Sequence, residues 1–283
     1  DKMYEVLRGF KERLPRHIEN KIIEKGLDMA VEYAGAIRQR LPYIEEELAH
    51  DGDPMSIANY ATAIGTRFPA RYREIAEKNL VENGEGEVLT QYAKAMGGTW
   101  QKIVGGQLAE EAEAAISFFP APALEYARDV VKKRFLPAEN VIANWGGVAV
   151  EYAQKVLKGT WADVVGGQLA ATAENSIAGH GLSALDYARN VLGKRFEGGE
   201  PAIADRAEYS YEYARDVLGG SWQDVVGGEL AKKAESIISS SPNIRIKYAQ
   251  EQLRGRFEDA EREYIMRGSD PFVREEANRY AEI

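Results

Sequence analysis

The stretch ALDYARNVLGKRFEGGEPAIAD, residues 184–205, contains one complete repeating unit of this chain. Residues 184–192 carry apolar side chains at helical spacing and predict an amphipathic helix. Gly193 is suited to end that helix, because glycine readily adopts the left-handed conformation found after helix C-termini. Pro201 fits the first turn of a second helix. The stretch therefore predicts a helix–turn–helix unit with Phe196 in the turn.

The same pattern recurs along the chain, most clearly in residues 123–144 and 246–265. In the first third, an Arg-(Leu/Phe)-Pro triplet at 13–15, 40–42 and 67–69 precedes each helical pattern. Every predicted turn carries one bulky apolar residue, which we call the turn residue. The turn residues are Leu14, Leu41, Phe68, Trp100, Phe135, Trp161, Phe196, Trp222 and Phe257.

The turn residues of the C-terminal two-thirds obey a fixed 61-residue period. The period relates Trp100, Trp161 and Trp222 to one another, and likewise Phe135, Phe196 and Phe257. A period of this length is typical of stacked helix pairs. We therefore predict an all-α fold, an α-solenoid of about nine helix–turn–helix units with TPR-like or HEAT-like stacking. It would form one repeat domain over 1–283, with diverged short units at 1–86, three double units at 87–267 and a C-terminal helix at 268–283.

Short and long units alternate within each 61-residue period. A long unit has Thr or Ser before its Trp and carries an insertion of about nine residues with a glycine pair. The pairs are Gly105-Gly106, Gly166-Gly167 and Gly227-Gly228. A glycine pair either breaks a helix or permits close packing inside it; the cost of about 1 kcal/mol per helical glycine favours a break. We expect a short helical turn at the Trp, capped by Thr160 or Ser221, and then a longer helix such as 168–177.

The short-unit motif resembles a repeat found in uncharacterised proteins of tailed bacteriophages. That repeat reads approximately Ala-x-x-Tyr-Ala-x-x-Val-x-x-Gly-Arg-(Trp/Phe), followed by a Glu and an Ile. The matching positions are Tyr187, Ala188, Val191, Arg195, Phe196, Glu200 and Ile203. The long units depart from the motif, with Trp after Thr or Ser. The resemblance implies a phage origin, and hence the cytoplasm of an infected cell, but names no activity.

Composition narrows the classes of function. The net charge of −9 argues against binding to a nucleic-acid backbone, which usually needs a basic surface. The chain has no cysteine, which excludes disulfides and thiolate chemistry, and no apolar run long enough to span a membrane. Its three histidines, His17, His50 and His180, lie in different units, so we expect no metal site and no cofactor. No catalytic grouping is recognisable, and we expect a protein that is not an enzyme.

Two sets of residues are candidates for binding. Arg134, Arg195 and Arg256, together with their counterparts at 13, 40 and 67, could form a ladder of donors to an anionic ligand. The alternative is that each arginine pairs with a carboxylate of its own unit, such as Arg195 with Glu200. The turn aromatics could stack bases or line a peptide groove, but identical placement in every unit favours a core role.

We therefore assign a structural repeat core with tyrosines that pack helix against helix and have their hydroxyls at the edge. The core residues are Trp100, Trp161, Trp222, Phe135, Phe196, Phe257, Tyr126, Tyr187 and Tyr248. The expected function is non-enzymatic binding of a host or viral protein, because repeats present extended surfaces. An acidic chain favours a basic partner. The alternatives are a nucleic-acid or nucleotide binder that uses the arginine ladder, and a structural component of the virion or of its assembly. The sequence leaves the oligomeric state open.

Overall fold

The computed structural model describes residues 5–6, 9–254 and 257 of the chain. Every regular element within those residues is a helix, and the helices pack as neighbouring pairs. The prediction of an all-α repeat fold is thus confirmed. The chain divides into two compact units, Asp1–Val141 and Ile142–Ile283. Arg256 and the predicted C-terminal helix at 268–283 lie outside the described residues.

The first unit contains two layers of helices. The helices of one layer carry the repeated tyrosines, and we call this the tyrosine layer: α2 (Leu27–Ile37), α4 (Pro54–Ile64), α6 (Gly86–Met96) and α9 (Pro120–Glu125). The opposite layer contains α1 (Arg16–Ile23), α3 (Glu45–Asp51), α5 (Ala70–Asn83) and α8 (Gly106–Ser117), with the short α7 (Trp100–Ile103) before α8. In the tyrosine layer α2 packs on α4 and α4 on α6, while α5 packs on both α3 and α8 in the other.

The second unit likewise contains two layers of its own, and α10 (Glu139–Ala143) includes residues of both units. Its tyrosine layer consists of α11 (Gly146–Tyr152), α14 (Gly181–Tyr187), α16 (Ala207–Tyr213) and α19 (Pro242–Tyr248), each packed on the next. The opposite layer consists of α13 (Gly167–Ala178), α15 (Glu200–Ile203) and α18 (Gly228–Ser240). The short helices α12 (Trp161–Val164) and α17 (Trp222–Val225) precede α13 and α18.

Glycine pairs separate each short helix from the longer one that follows. Gly166 and Gly167 have φ angles of 73° and 60°, left-handed values that interrupt the right-handed helix, so α12 ends before the pair and α13 begins at its second glycine. The same backbone occurs at Gly105-Gly106 and Gly227-Gly228. Thr160 accepts a hydrogen bond from the Asp163 N–H at 3.0 Å and caps its short helix. The predicted break and cap are both confirmed.

Five tyrosine-layer helices, α9, α11, α14, α16 and α19, continue into a turn that differs from the prediction. Residues 188–192 form a π-helical turn rather than the last turn of an α-helix, although the element still ends at Gly193 with φ of 61°. Equivalent π turns are Tyr126–Val131, Ala153–Leu157, Ala214–Leu218 and Ala249–Leu253. One widened turn shifts the apolar positions by less than a residue, so periodicity does not reveal it.

Candidate functional site

A buried hydrogen-bonded cluster joins each short unit to the next, and we call it the Arg–Glu–Tyr node. In the second unit, Arg195 donates to both carboxylate oxygens of Glu200, at 2.8 and 3.0 Å. Tyr213 donates its hydroxyl to Oε1 of Glu200 at 2.9 Å and accepts the N–H of Phe196 at 2.9 Å. Glu200 is only 2% exposed. The charge-assisted bonds from Arg195 and the additional bond from Tyr213 satisfy the hydrogen-bonding capacity of its buried carboxylate.

The node recurs in the first unit with closely similar geometry. Its members are Arg13–Glu19–Tyr33, Arg40–Glu45–Tyr60 and Arg67–Glu77–Tyr92. Arg134 pairs with Glu139 in the same bidentate manner, at 2.7 Å for both contacts. The expected pairing of Arg195 with Glu200 is therefore confirmed. The described members of the arginine ladder are already engaged by carboxylates, so an anionic ligand would have to displace a buried glutamate.

The sequence had suggested that the tyrosine hydroxyls lie at the edge of the layers, and the structure shows that they do not. Tyr213 is wholly buried, and its hydroxyl has both a donor and an acceptor. Burial raises the pKa of Tyr213 above its ordinary value, and the nearby Glu200 carboxylate raises it further. The expectation failed because it considered the ring alone, without the buried glutamate and turn N–H that the next unit supplies.

The long units keep the tyrosine contact but lack the arginine. Tyr187 donates to Glu174 at 3.0 Å and accepts the N–H of Trp161 at 3.2 Å. The Trp161 indole N–H donates to the Ala149 carbonyl at 2.9 Å. Trp100 and Trp222 are bonded in the same way and, like Trp161, are wholly buried. Each turn aromatic also packs on the tyrosine of its unit, with ring centroids 5.1–5.5 Å apart.

An open groove lies on the tyrosine layer of the first unit, between α2 and α4. Its volume is about 840 Å³, and we call it the acidic groove. Among the described residues that line it, three are carboxylates, Asp28, Glu32 and Asp53, and none is a lysine or arginine. Ser56, Asn59 and Thr62 add polar side chains, and small or apolar residues complete the lining: Val31, Gly35, Ala36, Met55 and Ala63. The arrangement offers hydrogen-bond acceptors and negative charge to a ligand.

Small residues create the acidic groove. Gly35 and Ala36 follow Tyr33-Ala34 on α2, and Ala63 occupies the corresponding place on α4. A Cβ atom on Gly35 would come within 3.3 Å of the Ala63 Cβ, so the glycine allows the two helices to approach closely. These positions lie on the outer, polar side of the tyrosine layer, where short side chains leave a depression.

The corresponding positions in the second unit are filled by charged side chains that pair with one another. Arg189 follows Tyr187-Ala188 and donates to Asp186 at 2.8 Å, within its own helix and turn. It also reaches Glu212 at 3.3 Å and Asp216 at 3.2 Å on the next tyrosine-layer element. The acidic groove is therefore a property of the first unit's own side chains and not of the repeat as such.

The acidic groove continues into a second depression of about 410 Å³ that shares Thr62. Glu87, Gln91, Lys94 and Glu125 line this continuation. Lys94, the one cation among the described lining residues, is held by Glu125 and by Asp129, the latter at 2.9 Å. The surface consequently remains negative along both depressions.

The carboxylate of Asp53 stays ionised in the acidic groove. Burial opposes its ionisation, but hydrogen bonds from the side chain and backbone of Ser56 outweigh that effect and lower the pKa of Asp53. Asp53 caps α4 by accepting the Ser56 N–H at 3.1 Å, while the Ser56 hydroxyl donates to Asp28 at 2.8 Å. One serine of α4 thereby contacts a carboxylate from each side of the groove.

Sequence reasoning missed the groove because it followed the residues that repeat. The available signal was the occurrence of small residues after Tyr-Ala, at Gly35-Ala36 and at Ala63, with Glu32 one turn before the first pair. Comparison with family models, with curated proteins and with solved structures finds no match. Within the described part of the chain, none of the helices has the length and apolar composition that crossing a bilayer requires.

Proposed function

We propose that this chain is a non-enzymatic protein-interaction solenoid that binds a basic segment of a protein partner in the acidic groove. The groove itself carries the proposal, because it combines three carboxylates, a floor of small residues and a volume that accommodates several side chains. Opposite charges steer association and favour the correct partner. The net charge of −9 acts in the same direction over longer distances.

The resemblance to phage repeats makes a host or viral protein the partner to test first. The competing idea of an anion-binding arginine ladder gains no support, since Arg134 and Arg195 are paired with Glu139 and Glu200. Affinity purification from infected cells, with nuclease treatment, separates the classes. One stoichiometric basic protein supports the proposal. Nuclease-sensitive nucleic acid or co-sedimentation with purified virions replaces it.

A binding experiment tests the groove directly. The probes are fluorescent twelve-residue peptides rich in lysine and arginine, with acidic peptides of matched length as the reference. The variant Asp28→Asn/Glu32→Gln removes two groove charges with little change in shape. The matched control, Glu47→Gln/Glu74→Gln, removes two exposed charges from α3 and α5 in the opposite layer.

The groove variant is expected to bind the basic peptides about 3- to 10-fold more weakly, since each exposed pair is worth roughly 0.2–1 kcal/mol. Salt should weaken wild-type binding, and the control should match wild type. Equal binding by the groove variant and the control, or preference for the acidic peptides, contradicts the proposal.

A further inference from the structure

Two adjacent phenylalanines stand out on the surface of the first unit. Phe118 is 73% exposed and Phe119 is 46% exposed, and their rings pack edge to face with centroids 5.2 Å apart. They form the turn between α8 and α9. An exposed aromatic pair costs solubility, and such groups are characteristic of interaction sites. We call this turn, with the depression beside it, the Phe corner.

The repeat itself shows that the fold does not need this pair. The residues 61 and 122 positions further along are Gly179-His180 and Ser240-Ser241. Gly179 and His180 form the same turn before α14, while Ser240 ends α18 and Ser241 alone separates it from α19, with small or polar side chains in place of phenylalanine. The phenylalanines are therefore an addition to a turn that forms without them.

A depression of about 250 Å³ lies beside Phe119. Gly86 and residues 119–122 supply its apolar lining, and Glu85 and Glu87 supply two exposed carboxylates. Pro120 and Pro122 have no N–H, and the N–H of Ala123 is bonded to the Phe119 carbonyl at 3.1 Å. The corner is thus poor in donors for an anion but offers aromatic faces and carboxylates to a cation.

The sequence around the corner is free of basic residues. Residues 79–93 and 103–127, which contain both sides of the depression, have seven glutamates and no lysine or arginine. The glutamates are Glu82, Glu85, Glu87, Glu110, Glu111, Glu113 and Glu125. Glu125 is already paired with Lys94, but Glu85 and Glu87 line the depression itself. Their charge therefore selects a basic occupant, and the exposed rings select an apolar one.

We infer that the Phe corner docks a segment of a protein partner that presents an apolar side chain next to lysine or arginine. This inference rests on the proposed function, but it concerns a surface that meets the continuation of the acidic groove only at Glu87. The apolar side chain enters the depression beside Phe119 and packs on Phe118. The adjacent cation lies near Glu85 and Glu87.

Selection from a displayed library of random twelve-residue peptides tests the inference. The variant Phe118→Ser/Phe119→Ser reproduces the Ser240-Ser241 turn and is expected to fold like wild type. Leu136→Ser, at an exposed leucine in a different turn of the same unit, controls for loss of surface apolarity. Glu85→Gln/Glu87→Gln tests the charge contribution separately.

The expected consensus is an apolar residue flanked by lysine or arginine. Binding of such a peptide should fall at least about 10-fold in Phe118→Ser/Phe119→Ser, the loss typical of truncated interface anchors. It should fall less, and in a salt-dependent way, in Glu85→Gln/Glu87→Gln, and stay unchanged in Leu136→Ser. Asp28→Asn/Glu32→Gln should also leave it unchanged, which separates the corner from the groove.

Three results would overturn the inference while leaving the groove proposal intact. The first is an acidic or uncharged consensus, and the second is no peptide whose binding depends on Phe118 and Phe119. The third is self-association of wild type, measured by sedimentation, that the Phe118→Ser/Phe119→Ser variant abolishes. That outcome would assign the corner to a second copy of this chain.

Discussion

Tyr213 donates to Glu200 at 2.9 Å across two successive helices, and its ring packs on Trp222 with centroids 5.3 Å apart. The hydroxyl thereby contacts the preceding unit, whereas the ring contacts the turn of its own unit. The same tyrosine also accepts the N–H of Phe196 in the preceding turn. One side chain thus fixes the spacing of neighbouring units, which is the nearest-neighbour coupling on which repeat proteins depend.

Removal of the hydroxyl should weaken this coupling. Tyr213→Phe leaves the buried Phe196 N–H without its acceptor and deprives Glu200 of one donor. The free energy of unfolding should fall by about 1–3 kcal/mol. Urea denaturation followed by circular dichroism measures the change. Tyr209→Phe, at a partly buried tyrosine of the same helix outside the node, should stay within about 0.5 kcal/mol of wild type.

The arginine of a node should matter for stability rather than for binding. Arg195→Met removes the bidentate partner of the buried Glu200 and the bond to the Val225 carbonyl at 3.1 Å. Loss of one member of a fully buried pair costs about 3–5 kcal/mol, and the one-third exposure of Arg195 reduces our expectation to about 2 kcal/mol. Thermal melting of Arg195→Met, compared with that of Arg206→Met at an exposed arginine, checks the value. Unchanged melting with loss of an anionic ligand would restore the ladder hypothesis.

The sequence predicted the helix pairs well because periodic apolar residues, glycine pairs and turn prolines are local signals. It predicted the pairing of Arg195 with Glu200 for the same reason, since five positions separate them. It could not predict that Tyr213 completes the node, because that contact depends on how one helix is set against the next. The acidic groove was missed because Gly35 and Ala63 face each other only after α2 and α4 have packed. The Phe corner was missed because Phe118 and Phe119 do not recur.

A buried and an exposed tryptophan of the second unit should differ in how much their truncation lowers the free energy of unfolding. Trp161 is wholly buried, and Trp161→Ala should lower the free energy of unfolding by about 3–5 kcal/mol, the range for large cavities. Trp145 is 60% exposed, and Trp145→Ala should change it by no more than about 0.5 kcal/mol. Chemical denaturation of both variants provides the comparison. Similar losses in the two would place Trp145 in a core contact that the structure does not show.

Replacing either of two glycines of the second unit by alanine should change the stability of the protein, in opposite directions for the two sites. Gly167 has φ of 60°, so Gly167→Ala forces an alanine into the left-handed region at a cost of roughly 1–2 kcal/mol. Space is not the reason, since no atom lies within 4 Å of the added Cβ. Gly147 lies inside α11, and its added Cβ would meet only Ser183 Oγ at 3.9 Å. Gly147→Ala should therefore stabilise the protein by up to about 1 kcal/mol. Melting temperatures that shift in the same direction would contradict the assigned backbone.

The tyrosine hydroxyls should make the protein sensitive to alkaline pH. Burial, with nearby carboxylates adding to it, raises the pKa of Tyr60, Tyr92, Tyr126, Tyr187, Tyr213 and Tyr248 above the ordinary value of about 10. The folded protein therefore binds these protons more tightly than the unfolded chain does. Their contribution to stability is complete below about pH 10 and is lost as the pH rises through the raised values.

Titration and unfolding should consequently occur together. We expect tyrosinate absorbance to rise, and helical circular dichroism to be lost, over the same pH interval. That interval should lie above the pH at which the tyrosines of the urea-unfolded chain ionise. Tyr213→Phe removes one proton whose binding is coupled to folding. The free energy of unfolding should therefore decline less steeply with rising pH in this variant. Lysine deprotonation in the same range is common to both proteins, so the difference between them isolates the tyrosine. Complete ionisation of these six tyrosines in a chain that remains helical would show that their hydroxyls are not buried between neighbouring units.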